Sequence, residues 1–543
     1  MKLVSVNEMR VIEQEADKNG LTYAQMMENA GSGLADAIID MVYEDDEKPG
    51  VVGLVGPGNN GGDTLVALTY LAAKGWQARA YLMGRASEKD PLIERLRQAG
   101  GEITHSSQDA NREMLSAFIG SAMVVMDGVL GTGFKLPLKN DISEVLQAVN
   151  TAIADLDWPP YVVAVDCPSG VNCDTGEAVD DAIPASITVT MAAVKHGLIK
   201  FPAFELVGEL QVVDIGLTND ISGWNEIRDE VADDDLVSDI LPDRPDDSHK
   251  GTFGTALIAA GSVNYTGAAM LAGKAAYRVG AGLVTMAIPS LLHPVLAGQF
   301  PEATWVLLPH EMGVISAEAA DVLLKNLDHA KALLLGPGLG AEETTRNFIE
   351  NLIKGKRSGK KDGSRIGFVH DEKKIGDPKT NLLPPMVVDA DGLRLINKIP
   401  GWEKLLATMT VLTPHPGEMA DLTGKSIADI QSDRLGIARA FSKLWGHVVV
   451  LKGALTVIAK PDGRVTVIPV ASSALAKAGT GDVLSGLIVG LLAQGVEPYS
   501  AAIAGAWIHA QAGLFALDRV GNPASVMASD VIDSISDVLI GLI

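Results

Sequence analysis

Cysteine, aromatic residues and positive charge are all scarce in this chain of 543 residues. The spacing of Cys167 and Cys173 fits neither a zinc knuckle nor a CxxC redox pair, so we interpret both as reduced intracellular thiols. Aromatic residues account for 5% of the chain. Lys and Arg total 44 against 68 Asp and Glu, which gives a formal net charge of −24. Nucleic acids and anionic membranes require clustered basic side chains, so neither partner is expected.

Long apolar runs are also missing. The first residues include Lys2, Glu8, Arg10 and Glu13 and contain no apolar segment, so no secretory signal is expected. The late apolar run 483–493 is too short to cross a bilayer. These absences predict a cytoplasmic protein that acts on small molecules.

Glycine, in contrast, is abundant, with 57 copies beside a hydrophobic content of 47%. This composition is typical of α/β proteins, in which short strands lead into helices through tight turns. A chain of this length exceeds what one hydrophobic core usually supports, so at least two domains are expected. Between residues 216 and 250 the strand pattern stops and the segment becomes acidic, which predicts the domain boundary.

Local patterns place the main elements. Ser5 and Glu8 form an S-x-x-E capping box, which predicts a helix that ends near Gly20, and a second helix is predicted over 23–43. Strands that alternate with helices indicate parallel sheets in both halves. The predicted strands are 51–55, 78–83, 122–126, 161–165, 255–260, 283–288, 332–335, 386–388, 410–412 and 448–451.

The first glycine-rich loop reads GPGNNGGD, residues 56–63. It contains a formal G-x-G-x-x-G pattern, but the strand that follows leads into Gly84 and Arg85 instead of the acid that would hold a ribose. A standard NAD redox site is therefore disfavoured. Asn59, Asn60 and Asp63 offer oxygens suited to a hard cation or to sugar and amide groups.

Two further acids, Asp127 and Asp166, follow predicted strands in the same half. Each by itself could be a turn former or a helix cap. Open parallel sheets bind ligands at the carboxyl ends of their strands, so three acids at three strand ends together favour a site.

The second glycine-rich loop reads AGTGD, residues 478–482. Its backbone N–H groups predict an anion hole for a transferred phosphoryl group, with Asp482 placed to take a proton from a hydroxyl. A simple helix cap is the alternative for Asp482. The TGKS at 423–426 is not a P-loop, because Met419 occupies the position of the required earlier glycine. Lys452 is interpreted as a phosphate contact or, equally, as a surface lysine.

Ordered motifs in both halves resemble the bifunctional NAD(P)H-hydrate repair enzymes, in which an epimerase domain is fused to an ADP-dependent dehydratase. In the first half they are PGNNGGD (57–63), VLGTGFK (129–135), DCPSGVN (166–172) and AVKHGL (193–198). In the second half they are SHKGTFG (248–254), GPGLG (336–340), DADGL (389–393), LTPHPGEM (412–419), LKGALT (451–456) and AGTGDVLSG (478–486).

The resemblance implies an N-terminal Rossmann-like three-layer domain at 1–217, an acidic linker at 218–245 and a ribokinase-like α/β domain at 246–543. A polar insertion at 354–380 departs from the family pattern. The implied substrates are NADHX and NADPHX, the hydrated forms of NADH and NADPH. Assembly into a homo-oligomer is also expected.

For the epimerase, the resemblance implies exchange of the R and S hydrates at C6. Our hypothesis is that Asp166 carries the proton and that Lys135 assists. Asn60, Asp127 and Ser169 are the implied ligands of a K⁺ ion. The implied hydrate contacts are Asn59, Asn60, Gly61, Gly62, Asp63, Gly131, Thr132, Gly133, Phe134, Lys135, Leu136, Pro137 and Asp166.

For the dehydratase, the resemblance implies transfer of phosphate from ADP to the S hydrate and its elimination, which releases AMP and phosphate. Asp482 is the implied base, and Mg²⁺ is expected with the nucleotide. The implied hydrate contacts are Ala268, Gly338, Gly340, His415 and Asp482. The implied nucleotide contacts are Lys452, Gly453, Ala454, Leu455, Thr456 and Gly481.

Two other functions fit the same residues. One is a ribokinase-like small-molecule kinase fused to a nucleotide-binding domain, whose anion hole would look the same. The other is a first domain that only binds a ligand or a protein, since a fold alone does not imply catalysis.

Overall fold

The computed structural model describes residues 1–42, 49–86, 90–134, 137–355 and 383–542. The chain forms two compact units, Met1–Val231 and Ala232–Ile543. The division falls inside the acidic segment 218–245, which contains two short helices and a short strand. The domain limits predicted above stay a prediction, and all but the first two residues of the 354–380 insertion lie outside the described residues.

The first unit alternates strands and helices along most of its length. Its strands are β1 Leu3–Val4, β2 Gly50–Val55, β3 Gln77–Leu82, β4 Glu102–His105, β5 Val124–Gly128, β6 Tyr161–Val165, β7 Ile187–Met191, β8 Val194–Lys195, β9 Glu209–Val213 and β10 Glu230–Val231. Its helices are α1 Val6–Lys18, α2 Tyr23–Met41, α3 Asn59–Ala73, α4 Pro91–Gln98, α5 Glu113–Gly120, α6 Asn140–Ala154, α7 Phe204–Val207 and α8 Ser222–Glu226.

The main sheet of this unit is parallel, with the order β4-β3-β2-β5-β6-β7-β9. Helices cover both faces because successive strand residues point to opposite sides. In β2, for example, Val51 and Val55 pack with residues of α2 and α3, whereas Leu54 packs with residues of α5 and α6. The unit is therefore a three-layer α/β structure.

The second unit also alternates strands and helices. Its strands are β11 Thr255–Ala259, β12 Leu283–Pro289, β13 Thr304–Leu308, β14 His310–Glu311, β15 Val314–Ile315, β16 Ala332–Leu335, β17 Met386–Val388, β18 Val411–Leu412, β19 Val448–Leu451, β20 Val457–Ala459 and β21 Val465–Val467. Its helices are α9 Asp234–Ile240, α10 Thr266–Arg278, α11 His293–Leu296, α12 Ala319–Asn326, α13 Glu343–Ile353, α14 Asp391–Ile396, α15 Pro416–Thr423, α16 Ile427–Ser432, α17 Arg434–Trp445, α18 Thr480–Ala493, α19 Pro498–Val520, α20 Ala528–Asp533 and α21 Ile535–Ile540.

The large sheet of this unit runs β21-β20-β19-β18-β17-β16-β11-β12-β13. The pairs from β19 to β13 are parallel, and β20 and β21 add an antiparallel edge. Ile258 packs with residues of α10, α18 and α19 on one face, and Leu257 packs with residues of α12, α13 and α14 on the other. The predicted α/β class is therefore confirmed in both units.

Local sequence signals account for several boundaries. Ser5 accepts a hydrogen bond from the Glu8 backbone and the Glu8 side chain accepts one from Ser5, so α1 begins where the capping box predicted. Gly20 follows its end with a φ of 104°, which favours glycine. Strands β6, β16, β17 and β19 have the predicted bounds, because short buried apolar runs bounded by turn residues carry a strong strand signal.

Helix α19 has the length and composition of a membrane span, with a mean hydropathy of 1.3 over its most apolar window. Within the unit, however, 67% of that window is buried. Ala504, Ile508 and Ala512 are fully buried in the core beside residues of α18. This environment is that of a core helix.

Candidate active sites

The first site lies at one edge of the parallel sheet in the first unit. Strands β2, β5 and β6 are neighbours, so the ends that carry the glycine loop, Asp127 and Asp166 lie side by side. Strand β5 ends at Gly128, two residues later than predicted, so Asp127 lies within the strand. The loop after β2 ends where α3 begins at Asn59, with Gly58 as its N-cap.

A cavity of about 830 Å³ opens at this edge. Gly61 and Gly62 are buried in the first turn of α3, Pro137 is exposed, and Lys135 and Leu136 lie outside the described residues. Lining residues that the sequence did not predict include Arg10, Glu13, Tyr23 and Lys195. The predicted residues that line the cavity are Asn59, Asn60, Asp63, Gly131, Thr132, Gly133, Phe134 and Asp166.

Asp166 is the carboxyl group with the most hydrogen bonds at the cavity. Its Oδ1 accepts hydrogen bonds from Thr190 Oγ1 at 3.0 Å, the Met191 backbone N–H at 3.0 Å and Lys195 Nζ. Among the described residues, none donates to Oδ2. Asp166 has a φ of 65°, an uncommon conformation for a residue with a side chain, and such strain is concentrated at functional sites. One carboxylate oxygen is therefore held by the protein and the other is free for a ligand.

Lys195 is the main functional candidate that sequence reasoning missed. Its side chain is 2% exposed, and Nζ also donates to Thr190 Oγ1 at 2.9 Å and to the Met191 carbonyl at 3.0 Å. All three donors of the ammonium group are thus used within the protein. The AVKHGL motif contained this residue, but nothing in the motif indicated that it pairs with Asp166.

Two further carboxyl groups share the cavity. Burial, reinforced by Asp166 and Glu13, raises the pKa of Asp63 well above its ordinary value. Burial also raises the pKa of Glu13, with Lys195 opposing the shift and Asp166 adding to it. Glu13 lies on α1, whose amphipathic pattern gave no sign of a role at the site. The cavity therefore combines one lysine with acids that readily hold protons.

The predicted potassium ligands lie together beneath this cavity. Ser169 donates from Oγ to Asp127 Oδ1 at 2.5 Å and from its backbone N–H to Asp127 Oδ2 at 2.7 Å. The Asn60 side-chain amide donates to the carbonyls of Val165 at 2.5 Å and Leu130 at 3.3 Å. Asp127 is fully buried, and burial raises its pKa although the Ser169 hydrogen bonds oppose the shift. No basic side chain in the described part of the chain neutralises this carboxylate.

The second site lies at the carboxyl ends of β17, β18 and β19, which are adjacent and parallel. Lys452 Nζ donates to Asp389 Oδ1 at 2.7 Å and lies 3.7 Å from Glu418 Oε2. Burial opposes the charge on Lys452, but Asp389 and Glu418 outweigh it, so the pKa of Lys452 is raised. Of the two interpretations of Lys452, the surface one is wrong: its side chain is 17% exposed and pairs with a buried carboxylate.

Asp482 lies in the first turn of α18, close to this network. Burial and the Asp389 carboxylate raise the pKa of Asp482 to about 7, and Lys452 opposes the shift. Gly479 caps the helix with a φ of 93°, and Gly481 lies near the Lys452 ammonium. A first helical turn presents N–H groups that have no partner within the helix. A carboxyl group that titrates near neutrality thus stands beside free backbone donors.

The predicted hydrate contacts of the second unit fall into two groups. Gly338 packs against Ala268 at the start of α10, since a Cβ on Gly338 would lie 2.9 Å from Ala268 Cβ. The Gly340 backbone N–H donates to Asp391 at 2.9 Å. His415 is instead the N-cap of α15, and its Nδ1 accepts from the N–H groups of Gly417 and Glu418. The ring of His415 therefore has a helix-capping role, with 46% of its side chain exposed.

The predicted nucleotide loop, residues 452–456, connects β19 to β20. Gly453 and Leu455 have φ values of 137° and 55°, and Thr456 Oγ1 donates to the Gly453 carbonyl at 2.8 Å. Gly453 and Ala454 are exposed, whereas Leu455 is buried. The loop is a tight turn that leaves its first residues open to a ligand.

Family models match most of the chain. The model described as NAD(P)H-hydrate dehydratase matches residues 256–383 and 367–537, and the model described as YjeF-related protein N-terminus matches residues 23–197. The bifunctional NAD(P)H-hydrate repair enzyme Nnr of Moorella thermoacetica is 34% identical over 555 residues, 99% of this chain and 97% of that protein. The chain belongs to the bifunctional NAD(P)H-hydrate repair enzymes.

Membership in this family extends across both units. The bifunctional NAD(P)H-hydrate repair enzyme Nnr of Escherichia coli is 33% identical over 97% of this chain and 91% of that protein. A crystal structure of the ADP/ATP-dependent NAD(P)H-hydrate dehydratase from Bacillus subtilis, obtained with ATP and Mg²⁺, is 26% identical and covers 58% of this chain and 100% of that chain, with a TM-score of 0.45. The family models and the full-length relatives confirm the predicted bifunctional family, and each unit has its own family match.

Proposed function

We propose that the chain repairs hydrated NADH and NADPH through two reactions. The first unit interconverts the R and S hydrates, and the second uses ADP to dehydrate the S hydrate. The observation that carries the proposal is the titrating carboxyl group Asp482, whose pKa is raised to about 7 beside the free N–H groups of α18. A base poised at neutral pH beside an anion hole suits the transfer of phosphate to a hydroxyl group.

Epimerisation at C6 needs the hydroxyl to leave as water and to return on the opposite face of a cationic ring. Asp166 Oδ2 is the atom that exchanges the proton with this oxygen, since Oδ1 is held by other donors. Its carboxylate also stabilises the cationic ring. Lys195 is a positioning residue that fixes Asp166. Asp63, whose pKa is raised by burial, is a second carboxyl group that lines the cavity. The assisting role of Lys135 stays a prediction.

Dehydration begins with removal of the proton from the C6 hydroxyl by Asp482. The alkoxide oxygen attacks the terminal phosphorus of ADP, the bond between that phosphorus and the bridging oxygen breaks, and AMP leaves. The C6–O bond then breaks, phosphate departs with the bonding electrons, and loss of a ring proton restores the reduced nicotinamide. We expect Lys452, which pairs with Asp389, and the N–H groups at the start of α18 to stabilise the negative phosphate.

A potassium ion fits the buried carboxylate of the first unit. Asp127, Ser169 and the carbonyls that Asn60 approaches supply the oxygen ligands that a hard cation prefers. Such an ion would neutralise Asp127 and hold the loop after β5 next to α3. We therefore assign Asn60, Asp127 and Ser169 to K⁺.

Other expectations stay predictions. Among the described residues, no group of three or more His, Cys, Asp or Glu side chains could hold a metal ion. No Mg²⁺ ligand is therefore assigned, and the ion is expected to arrive on the nucleotide phosphates. The homo-oligomer and the cytoplasmic location also stay predictions.

One assay tests the proposal. Purified protein is mixed with chemically prepared NADH hydrate and either ADP or ATP, and the absorbance of reduced nicotinamide is followed. Full recovery from an R and S mixture is expected. Recovery of reduced nicotinamide from the S hydrate alone would indicate that the first unit is only a binding module. No recovery of reduced nicotinamide, together with phosphorylation of another alcohol, would favour the small-molecule kinase.

A further inference from the structure

Arg434, the first residue of α17, reaches from its helix to the end of β19. Its Nη2 donates to the carbonyls of Leu451 at 2.9 Å and Lys452 at 3.3 Å. Its Nη1 donates to Gln431 Oε1 at 2.8 Å, and its Nε is buried without a hydrogen-bond partner. One guanidinium group thus holds the last carbonyl of the strand and the first carbonyl of the loop that follows.

The charge of Arg434 is not compensated by the protein. Lys195 and Lys452 each contact a carboxylate, whereas no carboxylate of the described chain lies within 4.0 Å of the Arg434 guanidinium. Burial lowers the pKa of Arg434 to about 10, so the group is still positive at neutral pH. A largely buried charge without an oppositely charged partner is costly, and an anionic ligand nearby would remove part of that cost.

The position of the guanidinium links this charge to the loop at 452–456. A Cβ placed on Gly453 would lie 3.3 Å from both Nη1 and Nη2, so the group lies directly beneath the exposed Gly453 backbone. Gly453 has a φ of 137°, a conformation that residues with side chains rarely adopt. Arg434 therefore supports a part of the loop whose backbone conformation favours glycine.

We propose that Arg434 is a positioning residue for nucleotide binding: it fixes the 452–456 loop through the two carbonyls and supplies positive charge behind the ADP phosphates. This inference rests on the proposed function of the second unit. Because Nε and the two carbonyl contacts face the protein, Arg434 acts on the nucleotide through the loop and not by direct coordination. Loss of Arg434 would therefore weaken the binding of ADP and leave the binding of the hydrated dinucleotide unchanged.

The test compares R434Q and R434K in the full-length protein. The KM for ADP is measured at saturating S hydrate and the KM for the hydrate at saturating ADP. In R434Q we expect the KM for ADP to rise about ten-fold or more, with the KM for the hydrate changed less than two-fold, because charge-assisted hydrogen bonds to the loop are lost. R434K should recover part of the effect, since an ammonium keeps the charge but not the planar fork.

R439Q is the matched control. Arg439 lies on the same helix and also donates to a backbone carbonyl, that of Gly463 at 2.9 Å, away from the nucleotide loop. The KM of R439Q for ADP should equal that of the wild type. An unchanged KM for ADP in R434Q would overturn the proposal, as would equal increases in both KM values together with a lower melting temperature without nucleotide.

Failure of the proposed function can be told apart from failure of this inference. If the wild-type protein does not dehydrate the hydrate, calorimetry with ADP alone replaces the kinetic assay. Binding of ADP to the wild type that is about ten-fold weaker in R434Q supports the role of Arg434. Equal affinities of the two proteins refute it.

Discussion

At the residue scale, buried carboxylates are compensated in different ways. Asp166 and Asp389 each contact a lysine, and Asp127 contacts only neutral donors. Burial and the Asp389 carboxylate raise the pKa of Asp482 to about 7, and Lys452 only partly offsets this shift. A paired carboxylate keeps its charge and its orientation, whereas a poorly compensated one exchanges protons or attracts a cation. We therefore expect these acids to differ in their chemical roles.

Replacing Asp482 with Asn should abolish dehydration while epimerisation continues. The rate of dehydration in the wild type should rise with pH through about 7, because the base acts only when it has lost its proton. The pH profile of kcat/KM for the S hydrate checks this. D518N, at an exposed position on α19, is the control and should keep wild-type rates. A pH-independent rate between 6 and 8 would argue against Asp482 as the base.

The same raised pKa affects stability. An acid whose pKa is higher in the folded protein destabilises the fold once the pH exceeds its unfolded value, and the penalty grows as the pH rises toward the folded value. D482N should therefore raise the melting temperature of the second unit more at pH 8 than at pH 5. Thermal unfolding at the two pH values measures this, and an equal shift at both would contradict the assigned pKa.

Replacing Lys195 with Met should stop epimerisation and lower the free energy of unfolding by about 3–5 kcal/mol, since one partner of a buried ion pair is left uncompensated. The double variant K195M/D166N should regain most of that stability but no activity. Denaturant unfolding and the rate of R to S exchange check both effects. K195R should retain some exchange, and full exchange in K195M would refute the positioning role.

Removal of potassium should slow epimerisation without affecting dehydration of the S hydrate. Buffers with tetramethylammonium in place of K⁺ provide the comparison. In D127N the rate of epimerisation should no longer depend on K⁺, because the buried negative charge is gone. The rate of epimer exchange as a function of K⁺ concentration is the measurement. Equal rates with and without K⁺ in the wild type would remove the ion from the proposal.

At the element scale, the first site depends on two glycine loops that pack closely against each other. A Cβ on Gly56 would lie 1.8 Å from the Val129 carbonyl, and one on Gly131 would lie 2.1 Å from Asn60 Oδ1. The loops after β2 and β5 therefore contact each other without room for side chains. Glycine is needed here for close approach, not for a left-handed conformation.

Gly131 and Gly133 provide a matched pair of tests on one loop. A Cβ on Gly133 would have Arg10 Nη2 at 3.9 Å as its nearest neighbour, an ordinary contact. G131A should displace the Asn60 amide and slow epimerisation about ten-fold or more, whereas G133A should change the rate little. Similar decreases in the rate of epimerisation in G131A and G133A would show that crowding at Asn60 is not the cause of the decrease.

At the scale of the whole molecule, two units with separate cores each carry a site at the edge of a parallel sheet. The two reactions share an intermediate, since the S hydrate is the product of one unit and the substrate of the other. Nothing in the chemistry requires the intermediate to stay bound. We therefore expect the units to work as independent catalysts.

An equimolar mixture of D166N and D482N proteins should repair both hydrates. The first variant alone should dehydrate only the S form, and the second alone should only exchange the two forms. Recovery of reduced nicotinamide from pure R hydrate is the measurement. A mixture that fails on the R hydrate, when each variant keeps its own remaining activity, would indicate that the intermediate passes within one molecule.

Much of the fold and of the family could be predicted from the sequence by itself. Strands such as 161–165 and 448–451, the capping box at Ser5 and the glycine turns follow from local patterns, because hydrophobic periodicity and turn chemistry act over a few residues. Ordered motifs in both halves likewise identified the two domains and their reactions. Of the predicted residues, Asp127 and Asp166 lie side by side because parallel strands end on the same side of a sheet, whereas Asp482 lies in the first turn of α18.

The tertiary structure alone decided how these groups are partnered. Lys195 and Asp166 are 29 positions apart, Lys452 and Asp389 are 63 apart, and Glu13 reaches the first site from a helix at the start of the chain. Burial and neighbouring charge set the pKa of Asp482, and both depend on distant segments packed around it. The sequence thus identified most of the candidate residues, and packing determined their electrostatic environment and orientation, because electrostatic interactions depend on distances in space and not along the chain.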